Sequence, residues 1–363
     1  MKITSVETLL QDIPCRTLAT SYRDPLTHKL HTLVRIRTDN GLAGLGEASP
    51  LTHFTGETPE SVQLAIEQFF ASELIGRDPF DLESIHAWMN NAYPRNTTAK
   101  AALDMALFDL IGKALDTPVY RVLGGRTKTR IPLAKGLGIQ SVDDTVREAS
   151  EAVAKGYQTL KLKIGRNPAR DRDTLREVRN ALGDAIHLRV DANQGYDPKS
   201  AVSLIRKLEP LDIQYVEQPV KAHDLTGLAH VRQAVGVPIA ADESLQGLSE
   251  ALNLIRLDAV DVLVIKLIKV GGIFPARKIT ALAEAAEKRC VVVSPYEIGI
   301  GTAAGAHLSL SSTTCSMACE FLDPSFRPEE PTEGLKMDGG WLDVPDNPGL
   351  GVRFRSGLDP FKA

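Results

Sequence analysis

Two different hydrophobic rhythms run along this 363-residue chain. In roughly the first 125 residues the pattern is irregular. "KITSVETLLQDI" and "HTLVRIRTDNGLAGLGEA" alternate as antiparallel strands do, and Asp39-Asn40-Gly41 supplies a hairpin turn in the second. "PESVQLAIEQFFASEL", "DLESIHAWMNNA" and the Ala-rich "TTAKAALDMALFDLIGKAL" then carry apolar residues at helical spacing. From Arg130 onward the rhythm becomes steady. "IPLAKGLGI", "TLKLKIG", "HLRVDAN", "IQYVEQP", "PIAADES", "DVLVIKLIKV", "CVVVSPYE" and "SMACEFLDP" read as short strands, with amphipathic helices such as "PKSAVSLIRKLEP" between them.

Strands that alternate with helices imply parallel βαβ units. Eight of them can close into a (β/α)₈ TIM barrel, although the helix before the last strand, "GIGTAAGAHLSLSS", is weakly marked. A doubly wound open sheet would normally carry a Gly-rich nucleotide loop near its start, and this chain has none there. The expected organisation is therefore an α+β unit over residues 1–125 and a modified TIM barrel over 126–327. A Gly-, Pro- and Asp-rich tail, 328–363, would return to the first unit and make it discontinuous.

Composition changes this picture little. With 24% charged and 43% hydrophobic residues and a net charge of −4, nothing points to a nucleic-acid or membrane partner. The start "MKITSVETLLQDIP" lacks the basic head and apolar stretch of a signal peptide, and a cytoplasmic enzyme is expected. Cys15, Cys290, Cys315 and Cys319 are too irregularly spaced for a zinc site and read as reduced, buried thiols.

The chemistry gathers at one place in each repeat. In "TLKLKIG", Lys161 and Lys163 share one strand face while Leu160, Leu162 and Ile164 take the other. Lys163, Asp191, Glu217, Asp242 and Lys266 each close an apolar strand, at intervals of 28, 26, 25 and 24 residues. That interval is the length of one βα unit, so all five fall at the mouth where barrel enzymes keep their active sites. Three converging carboxylates would repel one another without a cation. Asp191, Glu217 and Asp242 offer only hard oxygens, which suit one Mg²⁺ or Mn²⁺ and disfavour zinc. Lys163 on the second strand and Lys266 on the sixth then lie nearly opposite each other across the ring. A carboxylate substrate held between them would meet an amine on each face of its α-carbon. For Lys163 to act as a base its pKa must fall, and a divalent cation together with Lys161 would push it down.

"KLKIG", "VDANQGY", "VEQP", "ADES" and "IKLIKVGG", in this order, resemble the enolase superfamily and its muconate lactonizing enzyme subgroup. "GLGEASP", "GET" and "PGLGV" extend the resemblance over essentially the whole chain. It implies a capping domain closed over the barrel, a divalent metal on Asp191, Glu217 and Asp242, and Lys163 and Lys266 as acid/base groups. It also implies a metal-stabilised enolate formed or protonated α to a carboxylate. "EIGIGTAAGAH" and "CEFLDP" look like muconate cycloisomerases, with Glu297 near the acid/base centre, whereas "GEASPLTHFTGET" looks like the cap loop of dipeptide epimerases. Epimerases carry an Asp-x-Asp where this chain has Glu320 and Leu322. The expectation is a cycloisomerase-like reaction. The alternatives are epimerisation of a dipeptide or racemisation of an N-acyl amino acid between the two lysines, and a non-catalytic ligand-binding barrel. Sugar-acid dehydration is disfavoured, because "CVVVSPYEIG" holds no histidine base.

Further expected substrate contacts are Asn193, His53, Phe54, Arg23 and Glu320. Lys161 is expected to help hold the substrate carboxylate. His28 reads as a surface or lid residue, Lys135 as pointing outward, and His307 as packing at the barrel rim. The expected partner is a small carboxylate, with homo-oligomeric assembly.

Overall fold

The computed structural model describes residues 1–322 and 326–362. Its first unit is an antiparallel meander of β1 (Ile3–Pro14), β2 (His28–Thr38) and β3 (Ala43–Ala48). The turn between β2 and β3 uses Gly41 at φ +84°, as the Asn-Gly step requires. The helices that follow are α1 (Thr52–Thr55), α2 (Pro59–Ala65), α3 (Ala71–Leu74), α4 (Leu82–Ala92), α5 (Thr97–Ala114) and α6 (Val119–Val122). A π-helical segment, Ile66–Phe70, joins α2 to α3. The core of this unit is built where α5 lies across the sheet. Its alanines, and the glycines of β3, allow that close approach. A Cβ on Gly46 would stand 1.9 Å from the carbonyl oxygen of Ala102.

The second unit begins with β4 (Ile131–Pro132) and continues as seven parallel strands. These are β5 (Ala134–Leu137), β6 (Thr159–Lys163), β7 (His187–Asp191), β8 (Ile213–Glu217), β9 (Ile239–Ala241), β10 (Val262–Ile265) and β11 (Arg289–Val292), hydrogen-bonded in sequence order. Between successive strands run α7 (Val142–Ala154), α8 (Pro168–Leu182), α9 (Pro198–Leu208), α10 (Leu225–Ala234) and α11 (Leu248–Arg256). After β10 comes the pair α12 (Leu267–Val270) and α13 (Ile273–Ala285). Ser141, Asn167, Asp197 and Asp224 cap the first four of these helices through their side chains.

The eighth strand expected from "SMACEFLDP" is reduced to two isolated bridges, Leu133 with Cys319 and Val293 with Glu320. These bridges still close the ring, since Cys319 faces the first strand's side and Glu320 the seventh's. Asp323 and Pro324 of that stretch lie outside the described residues. The weakly marked helix exists as α14 (Gly299–Ser311) and is almost wholly buried, which explains its lack of an amphipathic pattern.

The tail divides its contacts. β12 (Thr332–Glu333) pairs with β15 (Arg353–Phe354), while β13 (Lys336–Asp338), β14 (Trp341–Asp343) and β4 form a small sheet. Leu350 N–H donates to Asp109 of α5, and Arg35 of β2 donates to the Phe361 carbonyl. Among the described residues no helix is long and apolar enough to cross a membrane. All four cysteines are buried free thiols.

The barrel explains its own alternation. Leu160, Leu162, Leu188, Val190, Leu263 and Ile265 belong to the large core that the helices cover. The opposite parity faces the lumen, where Tyr215, Ala240, Val262, Val264, Val291, Val293 and Met317 form a separate plug below the mouth.

His307 on α14 ties these layers together. It accepts from the Tyr120 N–H of α6 through Nδ1 at 3.1 Å and donates from Nε2 to the Leu350 carbonyl at 3.1 Å. Burial pushes its pKa from 6.5 down to about 4. The unfolded chain therefore takes up this proton first as pH falls, so stability is complete above 6.5 and declines between about 6.5 and 4. The slope this one group contributes is about 1.4 kcal/mol per pH unit. In urea denaturation, His307→Gln is expected to flatten the curve in that window; an unchanged slope would show that His307 stays neutral in neither state's favour.

Candidate active site

The sheet register places the functional groups before any side chain is considered. Lys163 of β6 stands opposite Asp191 of β7, and Asp191 stands opposite Glu217 of β8. Asp242 and Lys266 each follow the last residue of their strands, β9 and β10. Their side chains share the lumen parity with Lys161, Arg189 and Tyr215.

Lys161 is buried among three carboxylates. Its ammonium lies 3.2 Å from Asp191 and 2.7 Å from Glu320, and it donates to Glu217 Oε1 at 2.8 Å. Burial opposes its charge, yet Glu217, Glu320 and Asp191 together hold its pKa well above the ordinary value. Lys163 donates to Asp191 at 2.5 Å. Lys266 pairs with Asp242, and the fully buried Lys269 donates to the same carboxylate and to the Val264 carbonyl. Against the cost of burial, Lys163 and Lys161 keep Asp191 ionised well below the usual carboxylate range, and Lys266 and Lys269 do so for Asp242. Glu217 goes the other way. Burial and the neighbouring Asp191 raise its pKa strongly.

Without a cation on the carboxylates, the Lys163 pKa lies above its ordinary value. Burial lowers it, but Asp191 outweighs both burial and Lys161, and its ammonium is stabilised. The close partner wins because an opposite charge at hydrogen-bond distance exceeds a like charge one pleat away.

The carboxylates fit a hard cation. Lys161 approaches Glu217 Oε2 to 2.7 Å, but at an angle that makes no hydrogen bond, so this buried oxygen has a counter-charge and no donor. Asn193 Oδ1 and Glu243 Oε2 are also buried without donors. Among the described residues no three such side chains already form a coordination shell. Their charge is met by lysines in place, and the lysine ammoniums stand where cationic charge is required. Burial and Asp242 raise the Glu243 pKa to about 7.

Above this cluster opens a cavity of about 720 Å³, its mouth included. Lys161, Lys163, Asn193, Lys266, Glu320, Arg23, His53 and Phe54 all line it. Lys266 Nζ sits 4.5 Å from the Phe54 ring centroid, and His53 Nε2 is 2.8 Å from Tyr22 Oη. Burial, Arg23 and Lys266 bring His53 down to about 4, which keeps its ring neutral. Asn193 donates to Glu243, and Glu320 accepts from Tyr215 Oη as well as Lys161.

One placement, that of Glu297, differs from the sequence reading, and four residues add to it. Glu297 does not line this cavity. It accepts from Ser294 Oγ at 2.6 Å and borders a smaller adjoining cavity with Glu47 and Phe321; burial raises its pKa to about 7. Lys135, expected to point outward, has the outward parity of Leu160 and borders both this cavity and a second, outer one, with Nζ 4.5 Å from the Phe326 ring. Lys135 stands opposite Leu160 in the β5–β6 ladder and so shares the face of Leu133 and Leu137, while Gly136 stands opposite the lumen residue Lys161. His28 is exposed on the surface. Tyr22, Tyr296, Glu243 and Lys269 were missed. Lys269 and Glu243 each had a signal, being charged residues within three positions of a strand-end group, whereas Tyr22 and Tyr296 carried none.

Removing the central ammonium should unbalance the whole cluster. Lys161→Met is expected to lower stability by about 3–5 kcal/mol in chelator-treated protein at pH 7, read from the urea midpoint. A divalent cation should restore part of the loss, and an unshifted midpoint would refute this account of the cluster.

Comparison with known proteins places the geometry in context. Residues 4–124 match the family described as "Mandelate racemase / muconate lactonizing enzyme, N-terminal domain", and residues 144–357 match "Enolase C-terminal domain-like". The chain is 34% identical to the N-succinyl-L-Arg/Lys racemase of Bacillus cereus, covering 98% of this chain and 96% of that protein. That racemase's crystal structure superposes with a TM-score of 0.95, over 99% of this chain and 97% of the other. The dipeptide epimerase of Enterococcus faecalis, solved with Mg and L-Leu-L-Tyr, gives 0.92 at 36% identity over 97% and 99%. The muconate lactonizing enzyme of Pseudomonas fluorescens, solved with muconolactone, gives 0.92 at 31% identity over 99% and 98%.

Proposed function

The chain belongs to the mandelate racemase/muconate lactonizing enzyme family of the enolase superfamily, an isomerase by its relatives, and from that premise we propose that it racemises an N-acylated amino acid by moving a proton at the carbon α to the carboxylate. The observation that carries this reading is the pair of lysines. Lys163 and Lys266 line one cavity from strand ends four places apart in an eight-membered ring, each beside a different carboxylate of the cluster. Two amines on opposite sides are what a 1,1-proton transfer needs, since one removes the proton and the other returns it to the other face.

Asp191, Glu217 and Asp242 are the residues that would hold a divalent cation, with Mg²⁺ the first candidate. When bound there, the cation supplies electrostatic stabilisation to negative charge developing on the substrate carboxylate. Lys163 and Lys266 hold and release the proton at Nζ. Lys161 stays charged and orients the carboxylate, and Phe54 shields Lys266 from water.

The lining favours an anion without an ammonium group. Arg23, Lys161, Lys163 and Lys266 line the cavity with one carboxylate, Glu320, which Lys161 and Tyr215 already engage, and a cation on Asp191, Glu217 and Asp242 would free the three lysines' charge for the substrate. Leu322, also on the wall, offers no acceptor to a substrate ammonium. An N-acyl amino acid matches that field better than a dipeptide with a free amino terminus. The same cationic field suits a dicarboxylate, and this supports cycloisomerisation of a muconate as the second reading, in which a single lysine protonates the enolate.

The deciding experiment runs the Mg²⁺-loaded enzyme in D₂O with N-succinyl-L-leucine, L-Ala-L-Glu and cis,cis-muconate separately. Deuterium at the α-carbon with inversion is expected for the first. Lactone formation from muconate with no exchange in the others would instead establish the second reading. Lys163→Ala and Lys266→Ala should each cut racemisation by about 10²–10⁴-fold. Each variant should still wash out the α-proton of one enantiomer, a different one for each lysine. Loss of exchange from the same enantiomer in both would exclude opposed bases.

A further inference from the structure

The segment between β1 and β2 folds over the cavity as a lid. Backbone bonds from Cys15 to Thr27 and from Thr17 to Leu26 narrow its base, and Thr20 to Arg23 closes its tip. Leu18, Thr20, Tyr22 and Arg23 from this segment line the cavity. Glycines at the barrel mouth form its seat. A Cβ on Gly138 would stand 3.0 Å from Ala19 N, and one on Gly165 the same distance from Ser21 Cβ. Most polar clamps on the lid come from outside the reaction space, such as Ile139 N–H to the Ala19 carbonyl and Arg166 to the Thr20 carbonyl.

Tyr296 is different, because its side chain both lines the cavity and holds the lid. Its hydroxyl oxygen accepts the Leu18 N–H at 3.1 Å, and the Arg23 guanidinium lies 5.8 Å from its ring centroid. It does so from a left-handed backbone, φ +72°, which a bulky side chain adopts only when its surroundings enforce it. The enforcement is visible. Ser294 Oγ accepts Tyr296 N–H, Arg327 donates to the Tyr296 and Glu297 carbonyls, and Lys29 donates to the Pro295 carbonyl. Glu47 accepts the N–H groups of Ile298 and Gly301 immediately beyond. Four side chains from the cap and the barrel thus wire one turn so that a single phenol reaches the lid.

We propose that Tyr296 is a positioning residue, the latch that keeps the lid shut over the substrate during proton transfer. It touches the lid at two points, the Leu18 amide and the Arg23 side chain. Through Arg23 it also sets how deeply a cationic group enters the substrate cavity. The inference concerns the same cavity as the proposed racemisation, but its first readout needs no substrate.

The experiment compares the Mg²⁺-loaded parent with Tyr296→Phe, which removes only the hydroxyl. By hydrogen–deuterium exchange, the Leu18 amide is expected to exchange at least tenfold faster in the variant, while Leu33 and Val34 in the buried cap strand keep their protection. With whichever substrate the enzyme turns over, KM should rise severalfold and kcat should change less than twofold, because a looser lid weakens retention without touching the lysines. Leu18 exchange within twofold of the parent would overturn the latch. So would a fall in kcat at unchanged KM, which would put the hydroxyl in the chemistry. Should Tyr296→Phe fail to fold, Leu18→Pro removes the same bond from the lid side and must give the same KM rise. Absence of turnover on every substrate tested would count against the proposed reaction and leave the exchange result to decide the latch.

Discussion

The structure turns on a problem of buried charge. Asp191, Glu217 and Asp242 are at most 1% exposed at adjacent strand ends, where bare carboxylates would be prohibitively costly. Lys161, Lys163, Lys266 and Lys269 compensate them directly. The arrangement is tense by design. Glu217 is forced toward its neutral form while its neighbours are held ionised, and buried acceptor oxygens remain without donors. A site left in that condition has a standing electrostatic preference for a small, hard cation. Once such an ion shares the carboxylates, the lysines have less to neutralise and more freedom to act on a substrate.

Everything around the cluster serves to keep it dry and aligned. The barrel supplies rigidity through its register, since Lys163, Asp191 and Glu217 are direct cross-strand partners. The first unit supplies closure. Asp104 of α5 caps α13 by accepting from Ile273 and Phe274 N–H, and is itself bonded to His86. The segment carrying Lys266 and Lys269 is thereby anchored to the cap rather than to the barrel alone. Exclusion of water strengthens every charge interaction inside, so the lid and the cluster depend on each other physically.

The alternation in "TLKLKIG" illustrates how much was legible and where legibility stopped. Period-two patterning placed the leucines on one face and Lys161 and Lys163 on the other, and the barrel bears this out. In "PLAKGL" the same rule groups Lys135 with Leu133 and Leu137, and the ladder agrees, since Lys135 stands opposite Leu160. What a strand's own alternation does not display is the Asp191 carboxylate across the ladder, which only pairing brings to 2.5 Å from Lys163.

Local periodicity and the 24–28-residue spacing of charged strand ends therefore determined the barrel, its mouth and the five groups gathered there. They could do so because βα units repeat, and a repeat converts sequence distance into a position on the ring. What tertiary structure alone decided is everything that depends on which distant segments meet. It reduced the eighth strand to two bridges and sent Glu297 to the neighbouring cavity. It also set Tyr296 against Leu18, 278 residues away. No pattern in the chain encodes those contacts, because they arise from loops whose conformation is imposed by partners in the cap and tail.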